Sequence, residues 1–451
     1  MSSSWKKYKK SYRNLFVSHA SAIPRDCVDD YYSSLSVATD LYQKRYNEKN
    51  IVSPILRAFR KNKVRANLLS DSWWMAFLRA STCRDPESFL YQGYLIDFVK
   101  NNKCFENLRH DELIHIASLA LRTGLLLVAY ELRSKALESA LKYRIEGSSA
   151  DPIKVRAKLA ALLEKSEKNE FARCIEKINE KFFEEKEIFS HLNSILHDKA
   201  VELFEANDKS FFENVQNKSV AIVGPAKTDQ NDAFHIDQSD FVVRCNYRSS
   251  GVGVDPVHKG LRCDASYFNG EQARFIYESP RLDDWPDEIR WIVCKGEKKL
   301  EKMVSRLKIH FKECGTEDIF LPLDRYLKRV EKGLFSGSLN AIPNIVLDIL
   351  RFCPSEVIIF HADLMLSIGR LKGYYPDAWE RDKDEKMKSS FLKGIAREHD
   401  PLTQYWILNR LWCAGRLKGD SRFNEVMGLG QKEYMRQLQQ IYGDFGRILI
   451  D

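Results

Sequence analysis

The chain has 451 residues, of which 44% are hydrophobic and 30% charged, with a net charge of +8. These values exclude a disordered, fibrous or membrane-embedded chain, and the length exceeds what one hydrophobic core organises, so two or three globular domains are expected. The modest positive charge suits anionic partners such as a nucleotide, a phosphorylated glycan or an acidic membrane face, although a Lys-rich surface gives the same number; no nucleic-acid partner is expected.

The start of the chain carries Lys6, Lys7, Lys9 and Lys10 with no apolar core behind them, so no secretory signal is read there. The longest apolar run, near residues 125–130, is far shorter than the roughly 20 residues of a spanning helix. Ten cysteines show no C-x-x-C pair, which argues against a metal knuckle or a disulfide framework and for a reducing compartment. The expectation is a cytoplasmic protein, at most peripheral at the inner face of the membrane.

From residue 73 the apolar residues recur at helical spacing, in segments 73–80, 88–100, 111–122, 125–144 and 155–163. Gly124, and Asp151 with Pro152, are the stop and start marks between them. We read residues 1–210 as an all-α domain of helical hairpins, a bundle or a repeat, suited to binding a protein partner or positioning an acceptor. Residues 164–218 are rich in Lys and Glu and read as long solvated helices leading to a boundary near Gln216.

Beyond that boundary the pattern changes to short β-rich runs at 220–223, 241–244, 265–268, 291–294, 319–321 and 357–360. Helical segments at 300–310 and 342–352 alternate with them. Residues 215–451 are therefore expected to form an α/β domain with a mostly parallel sheet, binding its ligand where strands end and helices begin.

The first strand runs into Gly224-Pro225-Ala226-Lys227, where a glycine permits close approach of the backbone to a phosphate; an ordinary turn is the competing reading, since no G-x-G-x-x-G or G-K-[ST] follows. Ser336-Gly337-Ser338 precedes an apolar helix, whose start would suit a carboxylate or phosphate; a flexible loop with an N-cap is the alternative. His399 is followed by Asp400 and Pro401, an N-cap and first-turn pair that places it just before a helix through Tyr405 and Leu411. The positive end of that helix favours a neutral imidazole, as a general base requires.

Read together, Ile236-Asp237-Gln238-Ser239-Asp240-Phe241-Val242-Val243-Arg244-Cys245-Asn246, with Gly260-Leu261-Arg262-Cys263-Asp264 after it, resembles the large sialylmotif of glycosyltransferase family 29. The order Ser336-Gly337-Ser338, apolar helix, Cys353, β-run resembles its small sialylmotif, with a few more residues between Gly337 and Cys353 than the family has. Gly373-Tyr374-Tyr375-Pro376-Asp377 is similar to the family's H-Y-Y-D segment with glycine in place of histidine, and His399 to Gln404 resembles H-x4-E with glutamine in place of glutamate.

The resemblance spans residues 219–415 and implies a variant nucleotide-binding α/β glycosyltransferase fold that transfers a sugar from its CMP ester with inversion. It implies His399 as catalytic base and Asn246 in the nucleotide site, with Gly224, Pro225, Ala226, Asn269, Ser336, Gly337, Ser338, Tyr374 and Tyr375 counted with the donor-binding residues. Ser219 stands where the large motif starts with cysteine, which leaves Cys353 without the family's disulfide partner and fits a bacterial-type cytosolic relative.

The resemblance implies CMP-sialic acid or CMP-Kdo as donor, both 2-keto acid sugars, and a glycan or glycolipid of the lipopolysaccharide or capsule kind as acceptor. A CMP ester carries one phosphate, so no catalytic metal and no cofactor are expected. Asp382-Lys383-Asp384 spells D-x-D but lies among other charges and reads as a solvated segment. Two alternatives stay open: a metal-dependent sugar-nucleotide transferase using Asp363, with His361 beside it after the last strand, or a non-catalytic nucleotide-binding scaffold, which Gly373 and Gln404 would suit.

Overall fold

The computed structural model describes residues 23, 25–82, 87–143, 152–165, 211, 213–227, 229–247, 255–269, 289–294, 320–322, 339–350, 352–367, 391–395 and 399–446. The expected helix at 300–310, most of the Lys/Glu-rich stretch, Ser336, Gly337, Ser338, Gly373, Tyr374, Tyr375, Asp382 and Asp384 lie outside these residues.

The first part is helical throughout its described residues: α1 (Arg25–Gln43), α2 (Glu48–Lys61), α3 (Asp71–Thr82), α4 (Glu87–Asn101), α5 (His110–Arg122), α6 (Leu126–Leu141) and α7 (Pro152–Lys165), with two 3-10 turns. The five segments read from periodicity correspond to α3 to α7, each shifted by at most three residues at either end. The pair α1 and α2 lies inside the expected 1–210 helical domain, before the first segment read from periodicity.

Local chemistry explains the ends. Asn47 caps α2 by accepting from the Asn50 amide at 3.0 Å. Glu112, in the first turn of α5, accepts from the Arg109 amide at 2.8 Å and from Arg65 Nε at 2.8 Å, so one carboxylate both caps the helix and ties it to the chain after α2. Their inner faces bury one cluster around Trp73, Trp74, Phe77 and Phe105, where each large apolar side chain contributes about 1.5–3 kcal/mol of transfer free energy.

The second part is an α/β unit. Seven parallel strands, β1 (Ser219–Val223), β2 (Phe241–Cys245), β3 (Ala265–Phe268), β4 (Trp291–Cys294), β5 (Phe320–Pro322), β6 (Glu356–Phe360) and β7 (Lys418–Gly419), are ordered β5-β4-β3-β2-β1-β6-β7. Helices α8 (Ala233–Asp237), α9 (Pro256–Lys259), α10 (Ala341–Leu350), α11 (Pro401–Cys413), α12 (Ser421–Gly428) and α13 (Gln431–Gly446) complete its described elements. All six strands read from the sequence are present within one residue at each end; β7, two residues with a glycine, carries no pattern to read.

Both sheet faces are covered, as a parallel sheet demands. Along β1, Val220 and Ile222 enter the main core with α10, α11 and α13, whereas Ala221 and Val223 face a smaller cluster with Ile236. The chain steps outward from β1 to β5 and then returns to the other side of β1 as β6, so the strand order reverses there. A crevice lies beyond the carboxyl ends of β1 and β6, where sheets of this kind bind their ligands.

The two parts meet along α13 and α11. Gly124, with φ +81°, turns the chain from α5 to α6, and a side chain there would collide with the Gly443 carbonyl of α13. Gln439 of α13 accepts from the Leu127 amide at 2.9 Å and donates to Gln92 at 2.8 Å. Deeper in, Arg133 of α6 donates to Asp400 at 2.6 Å and to Glu164 at 2.5 and 2.8 Å, and all three side chains are buried.

Candidate active site at the strand-order reversal

A cleft of about 150 Å³ occupies the crevice. Its walls come from the exit of β1 (Pro225, Ala226), the exit of β3 (Asn269), the first turn of α10 with Asn340 before it, the segment after β6 (His361 to Met365), the first turn of α11 (Pro401, Gln404) and Tyr434 of α13. Of the residues expected from the sequence, the fold thus brings together Pro225, Ala226, Asn269, His361 and Gln404. Asp363 lines the same cleft.

The turn after β1 differs from its reading as a phosphate cradle. The Gly224 amide donates to the Phe360 carbonyl at 2.8 Å and the Ala226 amide to the His361 carbonyl at 3.1 Å, and Pro225 has no N–H. A side chain at Gly224 would strike the His361 carbonyl, so this glycine serves backbone-to-backbone approach of β1 and β6. The turn's two carbonyls accept from Lys259 Nζ, at 3.1 Å for Gly224 and 2.5 Å for Ala226.

Lys259 had no signal in the sequence. Burial, and after it the Arg244 guanidinium, push its ammonium down to about 8. Arg244 is itself buried, donates to the carbonyls of Arg262 and Lys259 at 2.8 and 2.7 Å, and is held below the usual arginine range by burial. Two buried cations therefore stand behind the β1 turn.

Most of the large-motif residues build this scaffold. Asp237 accepts from the Leu261 and Arg262 amides at 3.2 and 3.1 Å, and Asp264 accepts from the Val242 amide at 2.8 Å and pairs with Arg262 at 3.0 Å. Asn246, buried with φ +54°, does not line the cleft; its Oδ1 accepts from the Asn269 amide at 3.1 Å and so positions the residue that does. The Asn246 expectation moves one step outward for that reason. Cys353 is a free thiol whose carbonyl accepts from the Asn217 amide at 3.0 Å, beside Ser219.

Two helices begin at the cleft. The N-terminal turn of α10 presents Ala341, Ile342 and Pro343, and that of α11 presents Pro401 and Gln404. First-turn amides have no partner inside their own helix and carry the positive end of its dipole. Asp400 caps α11, accepting from the Leu402 amide at 3.0 Å with Pro401 at the first position, as its sequence predicts. His399 sits half-buried immediately before this cap, its amide bound to the Gly394 carbonyl at 3.2 Å; it does not line the cleft. Asp363 accepts from the Met365 amide at 3.0 Å and from the Ser367 hydroxyl, so both its oxygens shape the turn after β6. Tyr434 and Tyr442 of α13 hold that turn through the Leu364 and Met365 carbonyls at 2.9 and 2.8 Å.

His361 is the residue with the most unusual surroundings. It has φ +53°, its side chain is fully buried, and its ring lies between two carboxylates, Nε2 at 3.5 Å from Asp232 and Nδ1 at 3.7 Å from Asp420. Burial, then the Lys259 charge, push its imidazole down to about 4, so the ring is neutral at pH 7. Burial raises both carboxylates, with the charge of Asp420 adding to the rise at Asp232. Neither aspartate was singled out in the sequence, because the three side chains come from distant segments.

No protein-family model matches the sequence, and a search of curated proteins found no match.

Proposed function

We propose that the chain is a glycosyltransferase that moves a 2-keto acid sugar, sialic acid or Kdo, from its CMP ester to a hydroxyl of a glycan or glycolipid. The observation that carries this reading is the convergence of two helix N-termini, those of α10 and α11, on a cleft at the reversal of a parallel sheet. Such a donor bears two anionic groups near its reacting carbon, the phosphate and the carboxylate, and two positive helix ends are matched to them. The buried cations Arg244 and Lys259 add field of the same sign. The resemblance of Ile236 to Asn246 to the large sialylmotif supports the CMP assignment.

In this account Asn269, held by Asn246, and the first turn of α10 bind the donor, with Ser336, Gly337 and Ser338 leading into that turn. Gln404 faces the cleft from α11 and hydrogen-bonds acceptor or donor through its amide. His399, immediately before the α11 cap, takes the acceptor hydroxyl's proton as the oxygen attacks the anomeric carbon from the face opposite the phosphate. The bond to CMP breaks with its electron pair on the phosphate oxygen, and the helix ends stabilise that charge.

The test is CMP release from CMP-sialic acid and from CMP-Kdo with bacterial lipo-oligosaccharide as acceptor. His399→Ala is expected to lower turnover by about 100-fold or more while leaving CMP affinity intact, because a general base acts in the transition state and not in the ground state. A folded, CMP-binding variant with unchanged turnover would remove His399 from the mechanism.

A further inference from the structure

We propose that Asp232, His361 and Asp420 hold one first-row divalent cation of the Zn2+ class, which ties the β1, β6 and β7 exits together beneath the cleft. One ligand atom from each of the three residues lies within 4.8 Å of the others. Asp232 comes from the crossover between β1 and β2, His361 follows β6, and Asp420 follows β7 and caps α12.

Distances separate a cation site from a hydrogen-bonded dyad. The ring-to-carboxylate separations of 3.5 and 3.7 Å exceed the 2.7–3.2 Å of an N–H···O bond. The Nε2 to Asp232 separation of 3.5 Å is close to the edge of a ligand tetrahedron, since bonds of about 2.1 Å at the tetrahedral angle put neighbouring ligands about 3.4 Å apart. An octahedral edge at the same bond length is about 3.0 Å, and Mg2+ prefers oxygen donors throughout. A mixed imidazole and carboxylate set suits zinc and its neighbours.

Burial and missing partners point the same way. The side chains of His361 and Asp420 are 0% and 1% exposed and that of Asp232 is 19% exposed. Among the described residues Oδ2 of Asp232 has no hydrogen-bond partner, and the ring nitrogens of His361 make no well-formed hydrogen bond, the His258 carbonyl being the backbone group that approaches the ring. Asp420 is buried and accepts from the His361 and Phe423 amides at 2.6 and 2.7 Å, Asp232 is partly buried, and a positive charge between the two carboxylates would relieve their repulsion. The nearby ammonium, Lys259, donates to the Gly224 and Ala226 carbonyls and makes no ion pair with either aspartate. One ring nitrogen takes the ion together with one oxygen from each aspartate. The ion lies in a closed setting and holds the cleft floor; its binding does not depend on the CMP-sugar reading.

The experiment is calorimetric titration of the chelator-treated full chain with Zn2+, Mn2+ and Mg2+, together with melting temperature in each ion. The expected result is one Zn2+ per chain, a higher melting temperature with Zn2+ than with Mg2+, and loss of about 10-fold or more in affinity in Asp232→Asn. That variant is isosteric and removes no backbone contact; if it fails to fold, His361→Gln serves in the same comparison. Absence of Zn2+ binding, binding unchanged by the substitution, or an equal response to Mg2+ would overturn the proposal.

Discussion

Arg133 is the side chain on which the union of the two parts most depends. Its guanidinium donates to Asp400 Oδ2 at 2.6 Å, to the two Glu164 oxygens at 2.5 and 2.8 Å and to Thr403 Oγ1 at 2.9 Å. Side-chain exposures of 7% for Arg133, 6% for Glu164 and 8% for Asp400 leave little water to replace these bonds. Arg133→Met keeps much of the stem's volume and removes the charge, so two carboxylates are stranded in a dry site. Breaking a buried pair in this way costs about 3–5 kcal/mol. The triple variant Arg133→Met, Glu164→Gln, Asp400→Asn strands no charge and keeps a capping side chain at position 400, so it should recover part of the loss. Urea titration at pH 7 reads both values from the shift in midpoint at constant slope. A loss under about 1 kcal/mol in Arg133→Met would refute the reasoning, because an exposed ion pair is worth no more than that.

Gly124→Ala is expected to cost about 2 kcal/mol or more, since φ +81° disfavours a side chain and the new methyl group would meet the Gly443 carbonyl; the melting temperature reports it. A second expectation concerns pH. Burial pushes His115, which bonds Tyr31 at 2.7 Å and faces Asp111, Glu112 and Arg109, down to about 4. Between that value and the ordinary histidine value of about 6.5 the unfolded chain binds the proton and the native one does not, so stability is full above about 6.5 and falls as pH drops towards 4. His115→Gln should therefore lose less stability between pH 7 and pH 5 than the parent chain; an identical or larger loss would contradict this origin.

The strands were legible because they are short β-branched or aromatic runs bounded by charge, and Phe241 to Arg244, for one, is buried on both faces. The order of those strands follows from no local pattern, and it is the order that places the cleft. Gly224 shows the limit from the other side: the sequence marks a glycine that something must approach closely, and the something is the His361 carbonyl. Likewise Asp237 and Asp264 stand out in the motif, yet they bind backbone amides of neighbouring loops. Asp232, Lys259 and Asp420 carry no sequence signal because their partners arrive from other crossovers, and Arg133 reads as one more basic residue on a helix until α11 is packed against it. His361 was visible as the residue after the last strong strand; its two flanking carboxylates were not.

The central claim is that the cleft at the β1 and β6 exits binds CMP, and a thermal-shift comparison of CMP with UDP and GDP at equal concentrations tests it most directly. A ligand that binds only the native state raises the melting temperature in proportion to the free energy of binding. The account predicts a clear rise with CMP and none with UDP or GDP, because the proposed donor is a cytosine ester with a single phosphate. Equal shifts with all three nucleotides, or no shift with CMP, would contradict it.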